Sequence, residues 1–280
     1  NEKIFMVVSA DNVFEGTDAT YQLDADGVTS VLTADLPDGA YITFAKELRG
    51  PGYVNVGINL WLRADDGVSA IDNWIDYSGN ENNATQVTAG QQPTFSTAAT
   101  NYNPGFVFNG TSSNMAMTLS RFPLGTSPRT LVGVGTPTNV SGIRYMFGWG
   151  AGTNNNYNAL VNTNTSVIFS GYSNDVTGAA GTAAIDVPQE VTGIWAGGTN
   201  GSAALYSKWR LLLAQNKAWT TSATGSATIG ALTPNTQAWM GPINEIIVYN
   251  RAIADYERQR ISSYLAMKYG YTMDQTTATN

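Results

Sequence analysis

Carboxylates, hydroxyls, amides and aromatic rings are the groups with which this chain can do chemistry, because its 280 residues include no Cys and no His. Their absence excludes disulfides, thiol nucleophiles, Cys/His zinc sites, Ser-His-Asp triads and imidazole bases. The 21 acidic residues outnumber the 14 basic ones, which gives a formal net charge of -7. A surface for nucleic acid would have to be built from these scattered cations, so nucleic acid is not an expected partner.

A dense group of oxygen ligands lies between residues 72 and 83. In one interpretation it forms a calcium loop, in which the carboxylates of Asp72 and Asp76 and the oxygens of Asn80 and Glu81 supply hard ligands. In the other, Asp76 caps a tight turn by accepting hydrogen bonds from backbone N–H groups. The spacing lacks the regular alternation of a calcium loop, which favours the turn. Calcium is the one cofactor that the sequence suggests.

Aromatic residues beside Gly/Asn turns are candidates for sugar binding, since sugars are held by aromatic platforms together with amide and carboxylate hydrogen bonds. These candidates are Trp149, Tyr157, Tyr172, Trp209 and Trp219. The alternative for each is a place in the core, and we expect only one or two of the five to be exposed. The Asn-rich run at 153–158 is either a further source of amide donors or a solvated turn, and the turn is slightly favoured.

The elements that must position these side chains are mostly strands. Only 12% of the residues are charged, and polar turns rich in Gly, Asn and Thr separate short apolar runs, which is typical of an all-β protein. Residues 243–249 are apolar on both faces and predict a buried strand. From Asp255 the apolar spacing becomes helical and ends before Gly270, which predicts a helix over about 255–269 with Asp255 as a candidate cap.

The pattern divides the chain into segments. Residues 1–49 hold three strand patterns, one of them at 28–32. The last of these resembles the end of another β-sandwich module, so residues 1–49 are interpreted as the C-terminal part of such a module. Residues 50–57 are a linker by composition, 58–273 form the main domain, and 274–280 are a tail. No run of 18 apolar residues and no signal-peptide pattern is present, so membrane insertion is not expected. The first residues suggest a cut within a longer protein.

Several motifs of the main domain resemble one family. They look like motifs of laminin-G-like, concanavalin A-type domains of large bacterial surface proteins. These motifs are the strand at 59–65, the Asp-x-Ser-Gly-Asn turn at 76–80, Phe-Val-Phe-Asn-Gly at 106–110, Ile-Asn-Glu-Ile-Ile-Val-Tyr-Asn-Arg-Ala-Ile at 243–253 and the helix end Tyr-Leu-Ala-Met-Lys-Tyr-Gly at 264–270. The resemblance implies a two-sheet jelly-roll sandwich that ends in one helix. The hairpin at 203–214 departs from the family, because Ser207-Lys208-Trp209 replaces the usual Asn-Gly tip.

The same fold includes glycoside hydrolases, which use two carboxylates. Their strand motif Glu-x-Asp-x-x-Glu is absent, and Glu245 has no acidic neighbour within five residues, so it is expected to pair with Arg251 or a backbone amide. Hydrolysis is therefore the least favoured function. The favoured one is a non-catalytic adhesion module that binds a carbohydrate or a cell-surface ligand.

A structural repeat or filament subunit is the alternative function. It would assemble by strand addition with other copies or neighbouring modules of the same surface protein. The composition is compatible with secretion, and the resemblance implies an extracellular, cell-surface protein of gliding, type IX-secreting bacteria.

Overall fold

The computed structural model describes residues 4–14, 18–23, 37–46, 50–66, 68–234 and 236–274, and the chain divides into two compact units, residues 1–49 and 50–280. The first unit contains β1 (Ile4–Ser9), β2 (Ala19–Gln22) and β3 (Tyr41–Lys46). They form an antiparallel sheet in the order β2-β1-β3. The predicted strand at 28–32 lies outside the described residues.

The second unit is a sandwich of short strands with one α-helix. Its elements are β4 (Ile58–Arg63), β5 (Val68–Ala70), β6 (Asn73–Trp74), β7 (Ala84–Thr85), β8 (Thr94–Thr100), β9 (Asn103–Asn109), β10 (Met115–Ala116), β11 (Arg129–Gly135), β12 (Ile143–Gly150), β13 (Tyr157–Thr163), β14 (Ser166–Ser170), β15 (Val176–Thr177), β16 (Gln189–Trp195), β17 (Gly201–Ser207), β18 (Arg210–Lys217), β19 (Ser226–Ile229), β20 (Met240–Tyr249) and α1 (Asp255–Tyr269). Short 3-10 helices lie at Pro51–Tyr53, Ala89–Gln91 and Leu119–Arg121. The all-β class and the C-terminal helix agree with the prediction.

Two large sheets build this sandwich. One has the order β18-β17-β16-β11-β20-β9-β8, with β4 also paired to β20, and we call it the helix-covered sheet. The other has the order β15-β14-β13-β12-β19-β10-β7-β6-β5, and we call it the open sheet. All described strand pairs in both sheets are antiparallel. Their facing sides supply one continuous core, which includes Phe106 and Ile246 from the first and Trp149 and Phe169 from the second.

The predicted strand at 243–249 is confirmed within β20, in the middle of the helix-covered sheet. Ile246 and Val248 point into the core between the sheets, whereas Ile247 and Tyr249 pack on the opposite face beneath α1. A strand with both faces buried loses its period-2 polarity, which is the pattern that the sequence has there. The position of β20 therefore explains its composition.

The helix covers the outer face of the helix-covered sheet through Ile261, Leu265 and Tyr269. Its N-cap is Ala254, whose side chain accepts nothing, and Glu257 instead accepts a 2.8 Å hydrogen bond from the Ala254 N–H. The expectation that Asp255 is the cap is wrong, because its carboxylate is in the first turn and pairs with side chains further along α1. The predicted C-terminal stop is confirmed by Gly270, which has φ 65°.

Residues 50–57, predicted as a linker, pack into the second unit. Pro51 and Val54 are buried, and the Val54 carbonyl accepts a 2.9 Å hydrogen bond from the Tyr249 hydroxyl. Among the described residues, no helix is long and apolar enough to span a bilayer.

Candidate functional site

The outer face of the open sheet carries a cleft with a volume of about 210 Å³. Strand alternation defines this face: Leu160 belongs to the core, whereas its neighbours Ala159 and Val161 pack on the other side with Tyr145 and Ile168. The helix α1 lies on the other sheet, so it does not cover this face. The open sheet thus presents a shaped surface with an apolar floor.

Polar groups and one aromatic ring form the rim of the cleft. Tyr172, Ser173 and Asp175 come from the turn between β14 and β15, and Gln237 comes from the segment before β20. Tyr172 is half-buried, while Ser173 and Gln237 are exposed. An aromatic ring beside a carboxylate and amides over an apolar floor can stack on the C–H face of a sugar and hydrogen-bond its hydroxyls.

The turn at residues 170–175 is held by side-chain hydrogen bonds. One oxygen of Asp175, Oδ1, accepts from the Ser170 hydroxyl at 2.7 Å and from the Gly171 N–H at 3.0 Å. Ser170 Oγ in turn accepts from the Tyr172 N–H at 3.0 Å. Tyr172 and Ser173 both have positive φ, 58° and 65°. Non-glycine residues in this region are strained, and strain that the surroundings maintain is a feature of functional sites.

A second set of contacts supports the turn from below. The indole of Trp219 donates to the Asn174 carbonyl at 2.8 Å, and a side chain at Gly171 would collide with that indole. Lys217 Nζ donates to Asn174 Oδ1 at 3.0 Å and to the Asp175 carbonyl at 2.7 Å. The rim residues are therefore held in place without a ligand, which reduces the conformational entropy lost on binding.

The charge of the cleft lining comes from one residue. Among the described residues that line it, Asp175 alone carries a carboxylate, and none is a Lys or Arg. Burial raises the pKa of Tyr145 to about 12, although an interaction with Ser170 lowers it slightly. The phenol of Tyr145 is therefore neutral at physiological pH and retains its O–H donor.

The Asn-rich run lies next to this turn. Asn155 Oδ1 accepts a 2.7 Å hydrogen bond from Asn174, and Asn156 Oδ1 accepts one of 3.1 Å from Thr220. Gly152 approaches the Tyr172 ring, so a side chain there would touch it. These amides hold the loop against the turn that carries the rim.

The five aromatic candidates separate into two groups. Trp149, Tyr157 and Trp219 have no solvent exposure and are core residues, so their rings do not offer a face to a ligand. Tyr172 and Trp209 are half-buried, and of the five only Tyr172 lines the cleft. Tyr172 and Trp209 are thus the two of the five with partial solvent access, and a binding role for either stays a prediction.

Trp209 lies at the tip of the β17–β18 hairpin, as expected, where Lys208 and Trp209 have φ of 48° and 85°. Its ring packs 5.5 Å from the guanidinium of Arg258, which also donates to the Trp209 carbonyl at 3.0 Å. This aromatic therefore joins the hairpin to α1 and lies away from the cleft lining.

The predicted calcium loop has the geometry of the turn-capping alternative. Asp76 is buried and accepts from the N–H groups of Trp61, Ser78 and Asn82 at 2.8 to 3.0 Å, and from the Ser78 hydroxyl at 2.8 Å. The side-chain amide of Asn80 donates to the carbonyls of residues 58 and 59. Asp72 and Glu81 are the other two of the four predicted calcium ligands. No three acidic residues in the described ranges are placed to hold a metal ion.

Glu245 is fully buried but does not pair with Arg251. Instead, Arg251 makes a bidentate ion pair with Glu257, with both distances 2.7 Å. The carboxylate of Glu245 accepts from Trp61 Nε1 at 2.7 Å, Lys268 Nζ at 2.8 Å, the Tyr269 hydroxyl at 2.8 Å and the Tyr264 hydroxyl at 3.2 Å. Every partner is a donor fixed by β4 or α1, which gives Glu245 a structural role.

Sequence reasoning missed Tyr145, Ser170 and Asp175. The last two carry a local signal, because a Ser followed five residues later by an Asp encloses Gly, Tyr, Ser and Asn, which favour turns. Tyr145 carries none, because a register shift in β12 decides which face it lies on.

No protein-family model matches the sequence, and no curated protein matches it. Among solved structures, the chain is similar to domain 4 of AbnA, a GH43 extracellular arabinanase from Geobacillus stearothermophilus, in complex with arabinotriose, with TM-score 0.54, 14% identity and coverage of 74% of this chain and 97% of that chain. It is also similar to Trypanosoma rangeli sialidase, with TM-score 0.54, 16% identity and coverage of 76% of this chain. The chain spans 33% of that sialidase. At these identities the likeness concerns the fold, a two-sheet β-sandwich.

Proposed function

We propose that the second unit is a non-catalytic carbohydrate-binding module and that the cleft on the open sheet is its ligand site. The observation that carries the proposal is that the Tyr172 ring and the Asp175 carboxylate line the same cleft, above an apolar floor. The arabinanase domain with a similar fold was solved with arabinotriose, which supports a sugar as the ligand class. The strained backbone at Tyr172 adds support from within the chain.

The non-catalytic part of the proposal rests on the carboxylate count. Most glycoside hydrolases use two carboxyl groups, roughly 5 to 9.5 Å apart, on either side of the scissile bond. Asp175 is the one carboxylate among the described residues that line the cleft, and Glu245 lies beneath α1 with its oxygens engaged. A single carboxylate can orient hydroxyl groups but lacks a partner for acid–base cleavage.

The wider setting of the proposal is adhesion by an extracellular surface protein. It rests on the resemblance of the sequence to laminin-G-like, concanavalin A-type domains and on a composition compatible with secretion. A glycan or other cell-surface ligand is the expected partner. We expect no role for calcium at the cleft, because Asp175 is the one carboxylate among the described lining residues and calcium prefers several oxygen ligands.

Assembly with other copies is the second candidate function. Within the described part of the first unit, β3 is an edge strand, and Ile42 and Phe44 on it are 46% and 66% exposed. Exposed apolar residues on a sheet edge favour strand addition. Sedimentation of the full chain tests this function, which requires a species larger than the monomer at micromolar concentration.

A glycan array with the full chain tests the binding proposal, once with calcium and once with a chelator. We expect binding to a defined glycan that changes less than twofold on chelation. Tyr172→Ala should then weaken binding by tenfold or more, or about 1.4 kcal/mol, because the stacking platform is lost. Tyr102→Ala is a matched control, since Tyr102 also has a positive φ, 62°, is 94% exposed and lies at the β8–β9 turn of the other sheet.

Two outcomes would overturn the proposal. One is the failure of the folded chain to bind any glycan in either buffer, with folding checked by tryptophan fluorescence. The other is equal binding by the Tyr172 and Tyr102 variants. Binding that is lost on chelation would contradict the expected independence from calcium.

A further inference from the structure

The charge of the cleft defines the class of sugar that it accepts. We infer that the cleft binds uncharged or amino sugars and rejects acidic ones such as uronic and sialic acids. This inference rests on the proposed function, since it names the ligand class of the same site.

Asp175 has one oxygen engaged and one available. Oδ1 accepts from Ser170 and Gly171, while Oδ2 accepts no hydrogen bond from any residue that the structure describes. Asp175 is half-buried at the rim of the cleft, where its carboxylate can accept from sugar hydroxyls. Such charge-assisted hydrogen bonds are roughly twice as strong as neutral ones. An ammonium group of an amino sugar would suit it still better.

The cations near the cleft lie outside its lining and donate to neutral carbonyl and amide oxygens. Lys217 is 8% exposed and donates to Asn174 and to the Asp175 carbonyl beneath the turn. Arg144, beside Tyr145, donates to the carbonyls of Ser141 and Ala238 at 3.0 and 2.7 Å. Neither side chain is part of the lining. An acidic sugar would therefore bring its carboxylate next to Asp175, and no Lys or Arg among the described lining residues could pair with it.

The remaining groups of the lining fit a neutral ring. Ser173, Gln237 and Tyr145 offer hydroxyl and amide groups that both donate and accept, as sugar hydroxyls do. The volume of about 210 Å³ lies below the roughly 300 to 1,000 Å³ of pockets for drug-sized ligands, so the cleft accommodates about one sugar ring. The net charge of -7 adds to the repulsion of anions at low ionic strength.

Matched oligosaccharides test the inference with the full chain. The array carries glucose, galactose and mannose oligomers, the corresponding uronic-acid oligomers and the corresponding 2-amino oligomers, so that members of a set differ in charge on one scaffold. For a scaffold that binds, we expect the uronic acid to bind at least tenfold more weakly than the neutral sugar, and the amino sugar to bind at least as tightly. Raising the salt concentration should narrow both differences.

Asp175→Asn removes the charge and keeps an acceptor, so it should reduce the discrimination between neutral and uronic sugars to less than threefold. Asp186→Asn is the control, because it changes the net charge equally at an exposed aspartate outside the cleft lining and should preserve the discrimination. Equal or tighter binding of a uronic acid by the unmodified chain, or unchanged discrimination in Asp175→Asn, would overturn the inference and leave the carbohydrate-binding proposal standing. Failure to bind any oligomer would overturn both.

Discussion

Lys268→Met should destabilise the second unit by about 3 kcal/mol, because it removes the cation that faces Glu245. Lys268 Nζ lies 2.8 Å from Glu245 Oε2 and 2.8 Å from Asp65 Oδ1. The side chain of Glu245 has 0% exposure and that of Asp65 36%, so the two contacts differ in energy. The exposed pair contributes about 0 to 1 kcal/mol.

The buried pair sets the size of the effect. Removing one partner of a buried ion pair costs about 3 to 5 kcal/mol, since it leaves a charge without compensation. The lower end applies here because Trp61, Tyr264 and Tyr269 still donate to the carboxylate after the substitution. Methionine retains most of the apolar stem of the lysine, so lost packing adds little. For a domain of this size, 3 kcal/mol lowers Tm by about 6 to 12 °C.

Urea unfolding followed by tryptophan fluorescence measures this change cleanly. All seven tryptophans lie beyond residue 60, so the signal reports the second unit and not the first. Arg260→Met is the control, because it removes an exposed cation from the same helix and should change the free energy of unfolding by about 0.5 kcal/mol or less. The double variant Glu245→Gln/Lys268→Met should lose at least about 1 kcal/mol less than the sum of the single variants. A loss below about 1 kcal/mol in Lys268→Met, or strict additivity, would refute the structural role of Glu245.

Two further predictions concern alkaline pH and the end of α1. Burial raises the pKa of Tyr145 to about 12, whereas the ordinary value is about 10. Between these values the unfolded chain releases a proton that the folded chain keeps. The stabilisation from the protonated Tyr145 is therefore complete below about pH 10 and is lost as the pH rises towards 12. Urea midpoints should therefore fall between pH 10 and 12, and more steeply than in Tyr145→Phe; parallel slopes would contradict this assignment. Gly270→Ala should cost about 1 to 2 kcal/mol in the same assay, because φ 65° is the left-handed region that alanine avoids, and Gly270→Asn should cost less; equal stability of all three proteins would contradict the cap.

The elements with unambiguous periodicity were predictable from the sequence. The helix at 255–269 follows from its apolar spacing and from Gly270, and β20 follows from an apolar run that both faces bury. Each of these signals is local, because it depends on spacing and on the residue that ends the element. The all-β class depends on composition, which is equally independent of how the strands pair.

The cleft was not predictable in the same way. A β-bulge between Tyr145 and Phe147 shifts the register of β12, so Tyr145 lies on the outer face although Phe147, two residues later, lies in the core. Alternation alone would place the two on one face. A Gly or Asn next to an aromatic residue indicates only that a strand ends there. It does not predict whether the aromatic side chain is buried, as that of Trp219 is, or lines the cleft, as that of Tyr172 does.

The place of β20 in its sheet has a consequence for the order in which the protein can fold during synthesis. This strand pairs with β11, β4 and β9, yet it follows all three along the chain. Synthesis must therefore reach residue 249 before the middle of the helix-covered sheet can form. Until then, the backbone groups of β11, β4 and β9 that pair with β20 have no partner strand. Contacts this distant in sequence slow folding and expose the nascent chain to aggregation. The helix-covered sheet therefore cannot be completed strand by strand from its N-terminal end.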